Sequence, residues 1–417
     1  MQAKMLAILS FLALLAAAGA RGGTAPPLIP GSLIEGFHCS SDPTQSYTLY
    51  LPSAYDASRQ WPVLLVFDPR GRGTLGAELF RPAAERFGWI VVSSNDTRSD
   101  GPWEPNQRAV NALWPEVHTR FRSDPQRIYA AGFSGGVAVA WGVAGATGQL
   151  AGVIAACGRI AEGLAPEVFN CPMFGTTGDA DFNFLEMRAM DDLLERRGIP
   201  HRLEVFAGRH SWMPQDLATE AVAWMELQAM RRGSAPRNEA MIARSYVAEL
   251  MAAREASDGE RAIDTWRHFR AIVGTYEGLC DVREAKTRME GLEQDPRVAA
   301  DRKEERDWDR FERDEQQRLV RFVADVRGHE AVTPGSAMRM LDLDRLSELA
   351  RRDDYAGSSA TRALEEIFVQ CAFYLTRDFL AAKRYDHALL VLEIALRIHG
   401  DAPFAWYNTA CAEARLG

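Results

Sequence analysis

The sequence has no surplus of positive charge. Its 48 Lys and Arg stand against 57 Asp and Glu, a net charge of −9 at pH 7. No basic surface is evident to neutralise phosphates, which argues against a nucleic-acid partner. Cysteine is also scarce: six in 417 residues, scattered, with no CxxC pair and no Cys/His cluster. A disulfide framework and a metal site are therefore not expected. Cys157 and Cys171 fall at the end of one predicted strand and the start of the next parallel one. That separates them by about a strand length, ~15 Å, beyond disulfide reach.

Long apolar runs are missing after residue 20. The one run before it, Met5 to Ala18, follows Lys4 and precedes the small residues "AGA" at 18–20. It is shorter than the ~20 residues of a spanning helix and reads as an export signal cut near Ala20, with residues 21–33 as a polar linker. Lys4 is the only charge in that segment, so cleavage takes the net charge from −9 to −10. An exported mature chain with no membrane span is expected.

The whole chain is 47% apolar and 25% charged, typical of a globular protein, and 417 residues suggest two domains. From Ile34 to about Gly208, β-rich runs alternate with helical patterns, the signature of an α/β sheet. "IEGFHCS" (34–40) and "SYTLYLP" (46–52) form an opening hairpin. "PVLLVFD" (62–68), "WIVVSSN" (89–95), "RIYAAGF" (127–133), "GVIAAC" (152–157), "PMFGTTG" (172–178) and "RLEVFAG" (202–208) follow. Apolar runs without alternation point to parallel strands buried on both faces. Helices are expected at Ala77–Phe87, Asn106–Phe121, Gly135–Gly145, Phe184–Arg197 and 214–232. Asn183 and Glu186 fit an N-cap and its third-position acid, and Gly198 fits the C′ position.

After a joint at 233–238, "GSAPRN", no convincing strand recurs. Residues 239–417 read as an all-helical second domain after the α/β domain of 34–232. "YDHALLVLEIALRI" (385–398) and "AWYNTACAEARLG" (405–417) carry the small-to-large spacing of a tetratricopeptide (TPR)-like repeat, and Ala262 and Trp266 repeat it. Such a domain suits a protein or peptide partner. "DRKEERDWDRFERDEQQRLVRF" (301–322) mixes both charge signs and reads as a solvated helix laced with ion pairs.

The candidate chemistry centres on "GFSGG" (132–136), which fits G-x-S-x-G between an apolar strand and a helix. That pattern places a serine on a strained elbow where only glycine admits the neighbouring backbone. A serine nucleophile needs a base, and the base an acid. "DADFNF" after the seventh strand offers Asp179 and Asp181, and "RHSW" after the eighth offers His210. Spacing does not separate the two acids.

These segments, with "YTLYLPSAYD" (47–56), "FDPRGRG" (67–73) and "DPQRIYAAGFSGG" (124–136), resemble the α/β-hydrolase superfamily. The likeness is to its secreted esterase-like members of the polyhydroxybutyrate-depolymerase and feruloyl-esterase type, and it covers about residues 34–230. It implies a doubly wound, mostly parallel eight-stranded sheet, and no cofactor. It also implies Ser134 as nucleophile, His210 as base and Asp181 as acid, with Asp179 the alternative. The oxyanion donors would be the backbone N–H groups of Gly135 and Arg70, the latter where many relatives carry a His-Gly pair. Trp103 and Trp212 are candidate substrate walls.

Cys157 to Cys171 leaves room for no large lid, so the serine is expected to be open to solvent, suiting an ester on a bulky carrier. The expected activity is carboxylic-ester hydrolysis through an acyl-enzyme. A silent hydrolase-fold scaffold and a serine peptidase are the alternatives.

Overall fold

The structure is a computed structural model that describes residues 28–158, 168–256, 261–328 and 332–417. The expected export signal lies outside the described residues.

Eight strands form one sheet: β1 Leu33–His38, β2 Ser46–Tyr50, β3 Trp61–Phe67, β4 Ile90–Ser94, β5 Ser123–Phe133, β6 Gly152–Ala156, β7 Met173–Gly178 and β8 His201–Phe206. Their spatial order is β1-β2-β4-β3-β5-β6-β7-β8. β2 runs antiparallel to both β1 and β4, and all the other pairings are parallel. This is the α/β-hydrolase arrangement. Every residue of β3, β4, β6 and β7 is buried, because helices cover both faces.

The helices of this unit are α1 Gly73–Phe87, α2 Glu104–Thr119, α3 Gly135–Thr147, α4 Phe184–Arg196 and α5 Gln215–Arg231. α1 begins four residues before the expected Ala77. Its glycine-rich start reads as a turn but is a close-packing device. A Cβ on Gly76 would lie 2.7 Å from Ser93 Oγ and 2.8 Å from Val66 Cγ1. Asn183 sits at the N-cap position of α4 without a side-chain capping bond. Its Nδ2 instead donates to the Cys157 carbonyl at 2.9 Å. Gly198 follows the helix at φ +63°, as its C′ role requires.

A wholly helical region follows: α6 Glu239–Ala256, α7 Ala262–Tyr276, α8 Arg283–Glu293, α9 Pro296–Arg327, α10 Pro334–Met340, α11 Leu343–Leu349 and α12 Tyr355–Val369. A π-helical turn at Gln370–Leu375 then leads into α13 Thr376–Ala381, α14 Tyr385–Ile398 and α15 Pro403–Leu416. The joint after α5 is not a loose tether. Leu227 and Met230 of α5 share an apolar core with Ile242, Leu250, Phe269 and Tyr276. The Trp224 indole N–H donates across it to Thr275 Oγ1 at 3.0 Å. Among the described residues no helix is long and apolar enough to cross a membrane.

The expectation of a solvated, ion-paired helix at 301–322 is corrected on one face. Glu305, Asp309, Glu312 and Glu315 of α9 are all buried. Spacings of four and three put the first three on one face, and arginines from other elements meet them there. Glu305 is 3.2 Å from Arg188 of α4 and 2.5 Å from Arg267 of α7. Asp309 takes the Tyr355 hydroxyl at 2.6 Å. Glu312 pairs with Arg362 at 2.8 Å, both side chains 1% exposed. Burial pushes the Glu305 carboxyl up, but the Arg267 hydrogen bonds and the charges of Arg267, Arg188 and Arg261 together hold the group below the usual range. At Glu312 burial prevails over Arg362 and pushes the carboxyl up to about 7.

Candidate active site

The turn from β5 into α3 carries Ser134 at φ +53°, ψ −122°, a conformation that L residues rarely adopt. Its flanking glycines are steric requirements. A Cβ on Gly132 would lie 2.2 Å from the Gly136 carbonyl oxygen, and one on Gly136 would lie 2.0 Å from the Phe67 carbonyl oxygen. On Gly135 it would meet Ser99 Cβ at 2.5 Å. The crowded "GFSGG" is therefore a tight elbow that leaves Ser134 half-buried at the carboxyl end of the sheet.

The loops after β7 and β8 bring two partners to it. His210 Nε2 is 2.9 Å from Ser134 Oγ, and His210 Nδ1 is 2.8 Å from Asp181 Oδ1. Asp181 is completely buried, and its Oδ1 also accepts the Asn183 N–H at 2.9 Å. The imidazole is 20% exposed. Phe182 and Phe133 hold its ring, at centroid distances of 4.2 and 4.8 Å. Asp179 is placed elsewhere: it is exposed, and its Oδ1 accepts the Gly208 N–H at 2.9 Å, pinning the two loops together. The geometry thus separates two acids that spacing left equivalent.

The expected oxyanion donors differ in standing. Gly135 opens α3, so its N–H lies in the first turn, where no intrahelical acceptor exists. The Arg70 N–H is already engaged, donating to Asp68 Oδ1 at 2.9 Å. Its neighbours turn the same way: the Gly71 N–H donates to the Asp68 carbonyl at 3.1 Å and the Arg72 N–H to Asp68 Oδ1 at 3.4 Å. The β3–α1 loop winds inward on the buried Asp68, which corrects the assignment of a free donor to Arg70.

Burial pushes the Asp68 carboxyl up, yet hydrogen bonds from Arg72, Trp212 and the Arg70 N–H hold it below its ordinary range. Trp212 is accordingly a strut. Its indole N–H donates to Asp68 Oδ2 at 2.9 Å, and its ring packs on Phe133 and Phe80. Trp103 is 45% exposed, with its ring edge beside Gly142 of α3.

Sequence reasoning missed Cys157. Its Sγ lies with ligand atoms of Asp181 and His210 in a group within 4.8 Å of one another, and these are the residues that could hold a soft metal ion. The thiol donates to the Ser211 carbonyl at 3.1 Å. Burial, then the Asp181 charge, pushes it well above the usual thiol range. A metal would have to displace that proton and break up the Asp181–His210 pair. All six cysteines are free.

No protein-family model matches the chain, and no curated protein sequence does. Among solved structures, the chain is similar to a ferulic acid esterase at 17% identity, over 43% of this chain and 91% of that one, with a TM-score of 0.36. It is also similar to the fluorophosphonate-binding serine hydrolase FphF of Staphylococcus aureus at 16% identity, over 47% and 98%, with a TM-score of 0.39. Esterase B of Lactobacillus rhamnosis is similar at 15% identity, over 51% and 93%, with a TM-score of 0.41.

Proposed function

We propose that the protein is a serine hydrolase acting on carboxylic esters through an acyl-enzyme. One observation carries the reading: the continuous Ser134–His210–Asp181 hydrogen-bond chain, at 2.9 and 2.8 Å, on a strained elbow at a helix N-terminus. His210 Nε2 takes the hydroxyl proton as Ser134 Oγ attacks the carbonyl carbon. Asp181 holds Nδ1–H, fixing the tautomer and stabilising the imidazolium. The tetrahedral oxyanion forms beside the Gly135 N–H and the positive end of α3. His210 then returns the proton to the leaving alcohol, and water repeats the sequence to release the acid.

The test is a panel of p-nitrophenyl esters beside peptide anilides. Ester turnover that vanishes in Ser134→Ala supports the reading. Preferential anilide turnover would make the protein a peptidase instead, and a folded protein turning over neither would be a scaffold.

The proposal extends to export through residues 1–20, for which a mature N-terminus at Arg21 is the expected sequencing result. The helical region is read as TPR-like from the spacing in 385–398 and 405–417. A protein partner would meet it at α15, where Trp406 and Tyr407 are exposed.

A further inference from the structure

One helical run touches three of the loops around Ser134. From α12, the Arg362 guanidinium donates to the Asp179 carbonyl at 3.1 Å, in the loop that carries the acid. One turn on, Glu365 pairs with Arg209, the neighbour of His210, at 3.2 Å. From the π-helical turn, the Tyr374 hydroxyl donates to Asp100 Oδ1 at 3.0 Å, in the loop after β4. That loop reaches the oxyanion side: Ser99 donates to Asp100 Oδ2 at 3.3 Å and packs against Gly135. Glu365 and Tyr374 are nine positions apart, about 13 Å of helix. The run therefore passes from the base side of the serine to its oxyanion side.

Two irregularities sit at the Tyr374 end. Asp100 is held at φ +62°, outside the region that aspartate ordinarily prefers. The helix that meets it widens into a π-turn at Gln370–Leu375, a distortion that recurs at functional sites. A regular α-helix would carry residues 373 and 374 to a different angle. With the turn in place, Tyr374 reaches Asp100, and Phe373 is left 39% exposed, stacked on Phe404 at 4.4 Å. The base-side anchor is braced from behind, since Glu365 also bonds His399 Nε2 at 2.8 Å.

We propose that the run Tyr355–Ala381 is a fixed roof across the mouth of the serine site, and that Tyr374 is a specificity-determining residue setting how large a substrate reaches Ser134. This rests on the hydrolase reading for the chemistry, but the roof itself is a matter of access. It reverses the expectation of an open site. The second half of the chain supplies the cover. The substrates that fit are compact, freely diffusing esters entering beneath the helix. An ester linkage within an extended polymer surface would collide with it.

The test measures access without requiring catalysis. In the full chain, Ser134→Cys introduces a thiol at the elbow, and peptide-level mass spectrometry follows its modification by methyl methanethiosulfonate and by fluorescein maleimide. With each rate divided by the same reagent's rate on a small free thiol, fluorescein maleimide should be slower by about tenfold or more, in the range that steric misfit produces in tight sites. Adding Tyr374→Ala should shrink that ratio several-fold, and Tyr374→Phe, which keeps the ring and removes the hydroxyl that bonds Asp100, should shrink it less. A ratio near one, or a ratio unmoved by Tyr374→Ala in a folded protein, overturns the roof. In parallel, the Ser134-bearing protein is treated with a small fluorophosphonate. Absence of labelling there would defeat the hydrolase reading while leaving the thiol ratios to decide the roof.

Discussion

The two aspartates after β7 show what a single side chain contributes. Asp181 is buried against His210, while Asp179 is an exposed turn residue on the Gly208 N–H. Asp181→Asn should therefore lower kcat by roughly 10⁴, because it leaves the imidazole in the wrong tautomer. Asp179→Ala should cost about 1 kcal/mol of stability, one hydrogen bond, and leave ester turnover near wild type. Kinetics and denaturant melts of the two variants check both halves; equal losses of kcat would contradict the assignment. Gly136→Ala is the matching steric test. Its Cβ would fall 2.0 Å from the Phe67 carbonyl oxygen, so the elbow must move. A loss of about 1–3 kcal/mol, with activity falling with it, is expected in thermal melts and turnover.

Among the elements, the sheet was the most legible in the sequence, and α9 was the least. Strands buried on both faces announce themselves as unbroken apolar runs, so β3, β4, β6 and β7 were readable to within a residue or two. The candidate site was readable for the same reason: the ends of β5, β7 and β8 are local features, and each carries one partner. Arg70 escaped because its N–H partner, Asp68, is set by a turn that no spacing reveals. The acids of α9 escaped because a charged helix ordinarily faces water. Their partners Arg188, Arg267 and Arg362 stand on other elements far along the chain. Removing one partner from that face exposes the cost of burial. Arg362→Leu leaves the Glu312 carboxyl buried without its partner, so that it must take up a proton to fold, and should destabilise by about 3–5 kcal/mol in equilibrium unfolding. The same change made with Glu312→Gln should recover much of the loss.

For the whole molecule, the two halves act as one body joined by an apolar core behind α5 and a buried ionic face on α9. The pH response has two sources with the same window, Glu312 and Glu220, since burial pushes both carboxyls up to about 7. The Glu312 carboxyl rises from 4.5 to about 7 on folding, so the folded state holds the proton more tightly than the unfolded one. Its contribution is fully present below about pH 4.5 and is lost as the pH rises through about 7. Thermal melts from pH 5 to 8 should show a limb falling toward about pH 7, and Glu312→Gln should make it shallower. A limb unchanged by that substitution would place the titrating group elsewhere.

The central claim is that Ser134 is an activated nucleophile, and intact-mass analysis after fluorophosphonate treatment tests it most directly. The wild-type protein should gain one phosphonyl group, mapped to the Ser134 peptide. The adduct should disappear in Ser134→Ala and form far more slowly in His210→Ala. A folded wild-type protein with no adduct, or an adduct that survives Ser134→Ala, would contradict it.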